Sequence, residues 1–329
     1  MTVGLTIILF LVVGVCFLIV FLVKNVIIPR RAAAAGNYRD RSNVLKAIRL
    51  AKGAIERDPK NAEAHYLLGR AYLEDKREEQ AFRAYRSASR LGIIGKNIPE
   101  TEFRETLAAL YAQFNEEEEA LKEYILLIKK HPENPEYFYR AGKLFPSRNR
   151  PDLAEQYLRK AASLDPKNSS YRFELGMLHY TSKRLKEAGV NFAEALKIDP
   201  ADAGALLYQG KVLKDLKEYA EAIPYFEAAA REQNYKLRSL IELGGCYMSL
   251  KMINRAIPEL ERAVNVILKE DDTESLYARY FLAMCYEKNR EIGKAITQWD
   301  MIYAQKKNFK DVGVKLTQYI EYRTGMTDK

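Results

Sequence analysis

Cysteine and histidine are scarce. Cys16, Cys246 and Cys285 are the three cysteines of 329 residues, and His65, His131 and His179 the three histidines. No CxxC pair occurs, so neither a disulfide framework nor a thiolate zinc site can be assembled. Seventeen glycines and eleven prolines are too few for a collagen-like or low-complexity chain. No phosphate-binding P-loop, GxGxxG, HExxH or GxSxG motif is present. No catalytic residue, metal or cofactor is therefore expected, nor a small-molecule substrate.

Charge is missing from one stretch and concentrated in the next. Residues 1–23 contain no Lys, Arg, Asp or Glu. Residues 24–61 carry ten basic and three acidic side chains, a local +7 out of a formal net charge of +9. The rest of the chain is nearly neutral, which argues against a nucleic-acid-binding surface across the fold. Residues 3–23 read almost continuously as Val, Leu, Ile and Phe. As a helix at about 1.5 Å per residue this run reaches roughly 30 Å, the thickness of a bilayer core. A cleaved signal peptide would need a basic leader and a shorter apolar core. The flank Lys24, Arg30, Arg31, Arg39 and Arg41 follows the run, so the positive-inside rule places the C-terminal side in the cytoplasm. The expectation is a single-pass, N-out/C-in protein of a bacterial inner membrane, touching lipid through residues 3–41.

The remainder is periodic. Ala35, Gly69, Ala108, Gly142, Gly176, Gly210, Gly244 and Ala283 are spaced by 34 residues, with two steps of 39. Twelve residues after each stands an alanine: Ala47, Ala81, Ala120, Ala154, Ala188, Ala222, Ala256 and Ala295. The longer steps predict insertions near residues 96–100 and 271–275. Each repeat carries two helical stripes. Leu240, Leu243, Gly244 and Tyr247 share one helix face, and Ala256, Leu260 and Ala263 another. The small residues suit a close crossing of two helices, where a long side chain has no room. Asp58-Pro59, Asp165-Pro166 and Asp199-Pro200 end second helices. Pro224 and Pro258 fall within second-helix patterns and are expected in their first turns.

Period 34 with these positions (Leu175, Gly176, His179, Ala188, Phe192, Ala195 and Pro200 in the fourth full repeat) resembles the tetratricopeptide repeat. The implied fold is all-α: a solenoid of helix-turn-helix repeats, preceded by one transmembrane helix. The expected layout is an anchor over 1–28 and a basic juxtamembrane segment with a degenerate first repeat over 29–61. Seven repeats over 62–309 and a capping helix and tail over 310–329 follow. An anchor before such repeats is similar to the plan of LapB-like envelope proteins, without their four-cysteine C-terminal module.

The family resemblance implies a non-catalytic scaffold that holds protein partners, as extended or helical segments, in the concave groove lined by first helices. The groove positions are Tyr66, Arg70, Tyr139, Lys143, Phe173, Met177, Tyr180, Lys211, Lys214, Tyr277, Tyr280 and Met284, with Glu105, Ala109, Leu207, Ile241, Gly245 and Met248 at equivalent places. This is an aromatic and methionine-bearing strip with basic spots, a composition that binding surfaces favour. It lacks the Asn/Lys clamp with which co-chaperone repeats capture acidic tails. His65, His179 and Trp299 are expected as packed residues, and His131 in a turn. Glu116, Glu117, Glu118 and Glu119 are expected at a helix start. A second reading stays open: a structural subunit of an envelope assembly, with its repeats on the far side of the membrane.

Overall fold

The computed structural model describes residues 41–93, 97–145, 150–269 and 271–327. The apolar run, most of its basic flank, and Ala35 of the degenerate repeat lie outside the described residues. Among those described, no helix is long and apolar enough to cross a membrane.

Every element among the described residues is α-helical, and the chain divides into two compact units, Met1–Glu133 and Asn134–Lys329. The first contains α1 (Arg41–Arg57), α2 (Ala62–Glu74), α3 (Glu78–Leu91), α4 (Glu100–Gln113) and α5 (Glu117–Lys130). The second contains α6 (Pro135–Leu144), α7 (Pro151–Leu164), α8 (Ser169–Thr181), α9 (Leu185–Ile198), α10 (Ala203–Asp215) and α11 (Tyr219–Ala229). It continues with α12 (Gln233–Ser249), α13 (Ile253–Asn265), α14 (Thr273–Lys288), α15 (Ile292–Gln305) and α16 (Val312–Thr327). Within each unit consecutive helices pack as antiparallel pairs and each pair packs on the next, a solenoid arrangement. The first 39-residue step falls mainly between the end of α3 at Leu91 and the start of α4 at Glu100, whereas the second is shared between a longer gap after α13 and an earlier start of the 16-residue α14.

The repeat's small residue has a specific partner sixteen positions on. A Cβ placed on Gly176 would lie 2.5 Å from the Phe192 ring, and one on Gly244 would lie 2.5 Å from Leu260. Gly69, Gly142 and Gly210 meet Tyr85, Leu158 and Phe226 in the same way. The glycine is thus the socket for the second helix's large side chain. The alanine twelve residues on is the crossing point: Ala81, Ala120, Ala154, Ala188, Ala222, Ala256 and Ala295 are all 0% exposed. Trp299 occupies the large position of the last repeat, fully buried and stacked on Tyr319 at 5.5 Å.

Local chemistry sets the helix ends. Asn61, Asn134, Asn168 and Asp202 cap first helices by accepting a bond from a backbone N–H two or three residues on. Among the described residues, six first helices are followed by a residue in the left-handed region: Lys76, Asn115, Lys183, Lys217, Lys251 and Arg290. There the following N–H reaches back five residues, as from Arg184 to the His179 carbonyl at 2.9 Å. This left-handed stop is usually glycine; here long polar side chains take it, exposed to solvent.

Two expectations need correction. Pro224 and Pro258 are not in first turns: each is the sixth residue of its helix, α11 and α13. The carbonyls they leave without a donor belong to Ala220 and Asn254, which are exposed, so water can serve them. His65 is half-buried rather than packed, with Nε2 3.1 Å from the Pro59 carbonyl. Asn234, where other repeats have proline, lets α12 begin early and run for 17 residues.

Candidate binding face on the first helices

In the second unit the strip is built from α6, α8, α10, α12 and α14. Its centre is an aromatic cluster. Phe173 lies 5.7 Å from the Phe192 ring and 6.0 Å from Tyr208, and Tyr180 lies 5.7 Å from Tyr208. Met177 packs against the same group, and all four first-helix side chains are half-buried, one edge in the core and one in solvent. A second cluster joins Tyr277, Tyr280 and Phe281 to Phe309, with Tyr277 and Phe309 5.2 Å apart. Met248 and Met284 are also half-buried, and nothing lies within 4 Å of a Cβ placed on Gly245.

The basic spots do not stand alone. Lys143 sits 5.2 Å from the Tyr139 ring and 2.8 Å from the Glu174 carboxylate. Lys211 lies 5.4 Å from the Tyr208 ring and 3.7 Å from Glu242, which also bonds Lys214. Tyr180 donates to Asp215 and Tyr280 to Asp311, each at 2.8 Å. Burial opposes the charge on Lys143, but Glu174 outweighs it and raises the lysine pKa. Burial, then Asp311, pushes the Tyr280 hydroxyl up to about 12. The strip is therefore cross-linked along its length by carboxylates from the following repeat, and its cations are largely neutralised in place.

Three positions differ from expectation. Tyr66, in the first unit, is 2% exposed, its ring against Tyr85 and Phe103 at 5.8 and 5.9 Å. It is a core residue and offers no contact surface. Arg70 lies 5.7 Å from that ring and 3.8 Å from Glu102. Leu207 and Ile241 are likewise buried. Tyr208, one position past Leu207, supplies the aromatic that α10 contributes to the strip. Glu174, Glu242 and Asp311 were legible in principle: each stands 31 residues after its partner Lys143, Lys211 or Tyr280. Opposite-charge or hydroxyl–carboxylate pairs at this offset are the signal.

Away from the strip, His179 is 1% exposed, with Nε2 3.4 Å from Glu155 and Nδ1 3.1 Å from the Asn191 amide. Arg184 and Arg159 bond the same carboxylate at 2.5 and 2.6 Å. Burial disfavours the Glu155 anion, yet Arg184, Arg159 and His179 outweigh it and hold the pKa at about 2, against 4.5 ordinarily. A lowered carboxyl pKa stabilises the fold fully above 4.5 and loses that contribution as the pH falls through about 2. Unfolding curves across this window should show Glu155→Gln losing less stability on acidification than the parent. Equal losses would mean that Glu155 is not held ionised by these partners.

Paired antiparallel helices, a glycine socket for each large side chain and a half-exposed aromatic face on the first helices define a class, the helical-repeat scaffold. The chain is a tetratricopeptide-repeat protein: tetratricopeptide-repeat family models match residues 38–89 and, overlapping one another, 106–169, 139–203 and 191–236. No curated protein matches the sequence. Among solved structures it is similar to YrrB, a repeat protein with an unusual peptide-binding site, at 18% identity and a TM-score of 0.50. That likeness covers 59% of this chain and 97% of YrrB. A repeat protein from Parabacteroides merdae gives 14% identity and a TM-score of 0.54, over 78% of this chain and 97% of that one. The Cut9–Hcn1 assembly of APC/C gives 19% and 0.53, over 84% of this chain and 53% of its own. At these identities the likeness establishes the fold alone.

Proposed function

We propose that this protein is a non-catalytic, membrane-tethered scaffold that grips an extended or helical segment of a protein partner along the first-helix face of its second unit. The observation that carries the reading is the run of half-buried aromatics and methionines, Tyr139, Phe173, Met177, Tyr180, Tyr208, Tyr277 and Tyr280, on that face. Solvated helices rarely repeat such residues, and they concentrate binding energy at interfaces. The peptide-binding site of YrrB, on the same fold, is consistent with it. Because Lys143, Lys211 and Lys214 already face Glu174 and Glu242, apolar anchors rather than free cations would hold the partner. The uncharged run at residues 3–23 supports the tether, and the basic flank supports repeats on the cytoplasmic side.

The test is crosslinking capture from native membranes, followed by titration of the captured partner. Tyr139→Ala/Met177→Ala should weaken binding about tenfold or more, while melting close to the parent. Undiminished binding would move the interface to another face. Reporter fusions at the C-terminus test the tether's orientation. Activity of a reporter that works only outside the cytoplasm would overturn the cytoplasmic placement and favour an envelope-assembly subunit.

A further inference from the structure

The strip does not use the outward face of α1. Val44, Ala47, Ile48 and Ala51 form the inner face and pack with Leu68, Ala71, Tyr72, Ala81 and Ala84. On the opposite side Lys46, Arg49, Gly53 and Arg57 follow at i, i+3, i+7 and i+11, one stripe of the helix. Lys52 lies beside them, and all four cations are exposed. No carboxylate among the described residues forms an ion pair with any of them. One acidic residue, Glu56, shares the face, leaving it at +3. Leu45 and Leu50 flank the stripe, one on each side, 44% and 61% exposed.

A cationic stripe edged by exposed leucines fits a flat anionic surface bordered by apolar chains. The charges meet head groups and the leucines enter the boundary between head group and acyl chain. The chain's own length bears on which surface that is. Seventeen residues separate the end of the apolar run at Val23 from Arg41. Fully extended they span at most about 60 Å, so a tethered α1 is never far from the bilayer. We infer that the outward face of α1, centred on Lys46, Arg49, Lys52 and Arg57, docks on the anionic lipid surface of the membrane that holds the tether. This rests on the tether proposed above. Its consequence is that α1 lies against the bilayer, while the second unit's aromatic strip is on helices that take no part in the docking.

The test uses the full chain in a Cys16→Ser background, with an environment-sensitive fluorophore on Gly53→Cys. Nothing lies within 4 Å of a Cβ at position 53, and Cys246 and Cys285 are buried from the label. The protein is reconstituted with vesicles of phosphatidylcholine alone, or with phosphatidylserine added. Flotation reads the tether, and probe emission reads α1. The expected result is flotation with both vesicles and a blue shift only with phosphatidylserine. Replacing the four cations by glutamine (K46Q, R49Q, K52Q, R57Q) should lower the docked fraction about tenfold or more while leaving flotation intact. Flotation with equal emission on both vesicles overturns the docking and leaves the tether standing. Flotation with the phosphatidylserine vesicles alone, accompanied by the blue shift, overturns the tether and supports the docking. No flotation with either overturns both. A shift with RNA but not with anionic vesicles replaces the lipid by nucleic acid and overturns the inference.

Discussion

Phe192→Ala should destabilise the second unit by about 3–5 kcal/mol, the usual cost of truncating a fully buried aromatic. Phe192 is 0% exposed and its ring fills the socket over Gly176. Glycine has no side chain with which to refill the space, so the cavity persists and its lining loses contacts outright. The same ring contacts Phe173 and Tyr208, both at 5.7 Å, so the loss also loosens the aromatic cluster of the proposed binding face. Phe192→Leu should cost much less, because Leu158 and Leu260 occupy the same socket in other repeats. In a repeat array, damage to one repeat uncouples its flanks, so the melt should fall and become biphasic. Chemical and thermal unfolding of the protein measure both effects. An alanine variant within about 1 kcal/mol of the parent would show that the socket is not a packing site.

Arg104→Ala should cost the first unit a similar amount, about 3–5 kcal/mol, by a different mechanism. The Arg104 and Glu123 side chains are 14% and 11% exposed and meet at 2.6 Å, and Arg104 also bonds Glu100 at 2.9 Å. Removing the guanidinium strands the Glu123 carboxylate in the helix interface without a counter-charge. The penalty is that of an unpaired buried anion, much larger than the net contribution of the pair. Arg104→Met combined with Glu123→Leu should therefore recover most of the loss. A double-mutant cycle by urea unfolding separates the terms. If the single variant lost as little as an exposed pair does, about 1 kcal/mol or less, the interface must admit water.

The helix pairs and their register were legible in sequence because a repeat states the same packing constraint many times. Gly176, Ala188 and Phe192 taken alone are three ordinary residues. Recurring at fixed offsets, they specify a crossing point. The left-handed helix stops were not anticipated, because lysine at Lys76, Lys183, Lys217 and Lys251 carries no turn signature of its own. Pro224 and Pro258 were placed wrongly because sequence cannot tell a carbonyl turned to water from one turned to the core, and that decides whether a proline is tolerated inside a helix.

For the proposed binding face, sequence determined which side chains share a phase of the first helices. It could not determine their depth. Tyr66 and Tyr139 stand on first helices with basic residues four positions on, yet Tyr66 is enclosed by Tyr85 and Phe103 while Tyr139 keeps an exposed edge. Neighbours on other helices set the difference: Tyr85, from the second helix of the same repeat, closes over Tyr66, and Leu158 stands at the equivalent place in the repeat of Tyr139. They also decided the electrostatics: Lys143, Lys211 and Lys214 read as free cations along the chain, and packing places Glu174 and Glu242 against them. Periodicity is a property of one helix and survives in the sequence. Burial and charge pairing are properties of contacts between helices, and only the tertiary structure decides them.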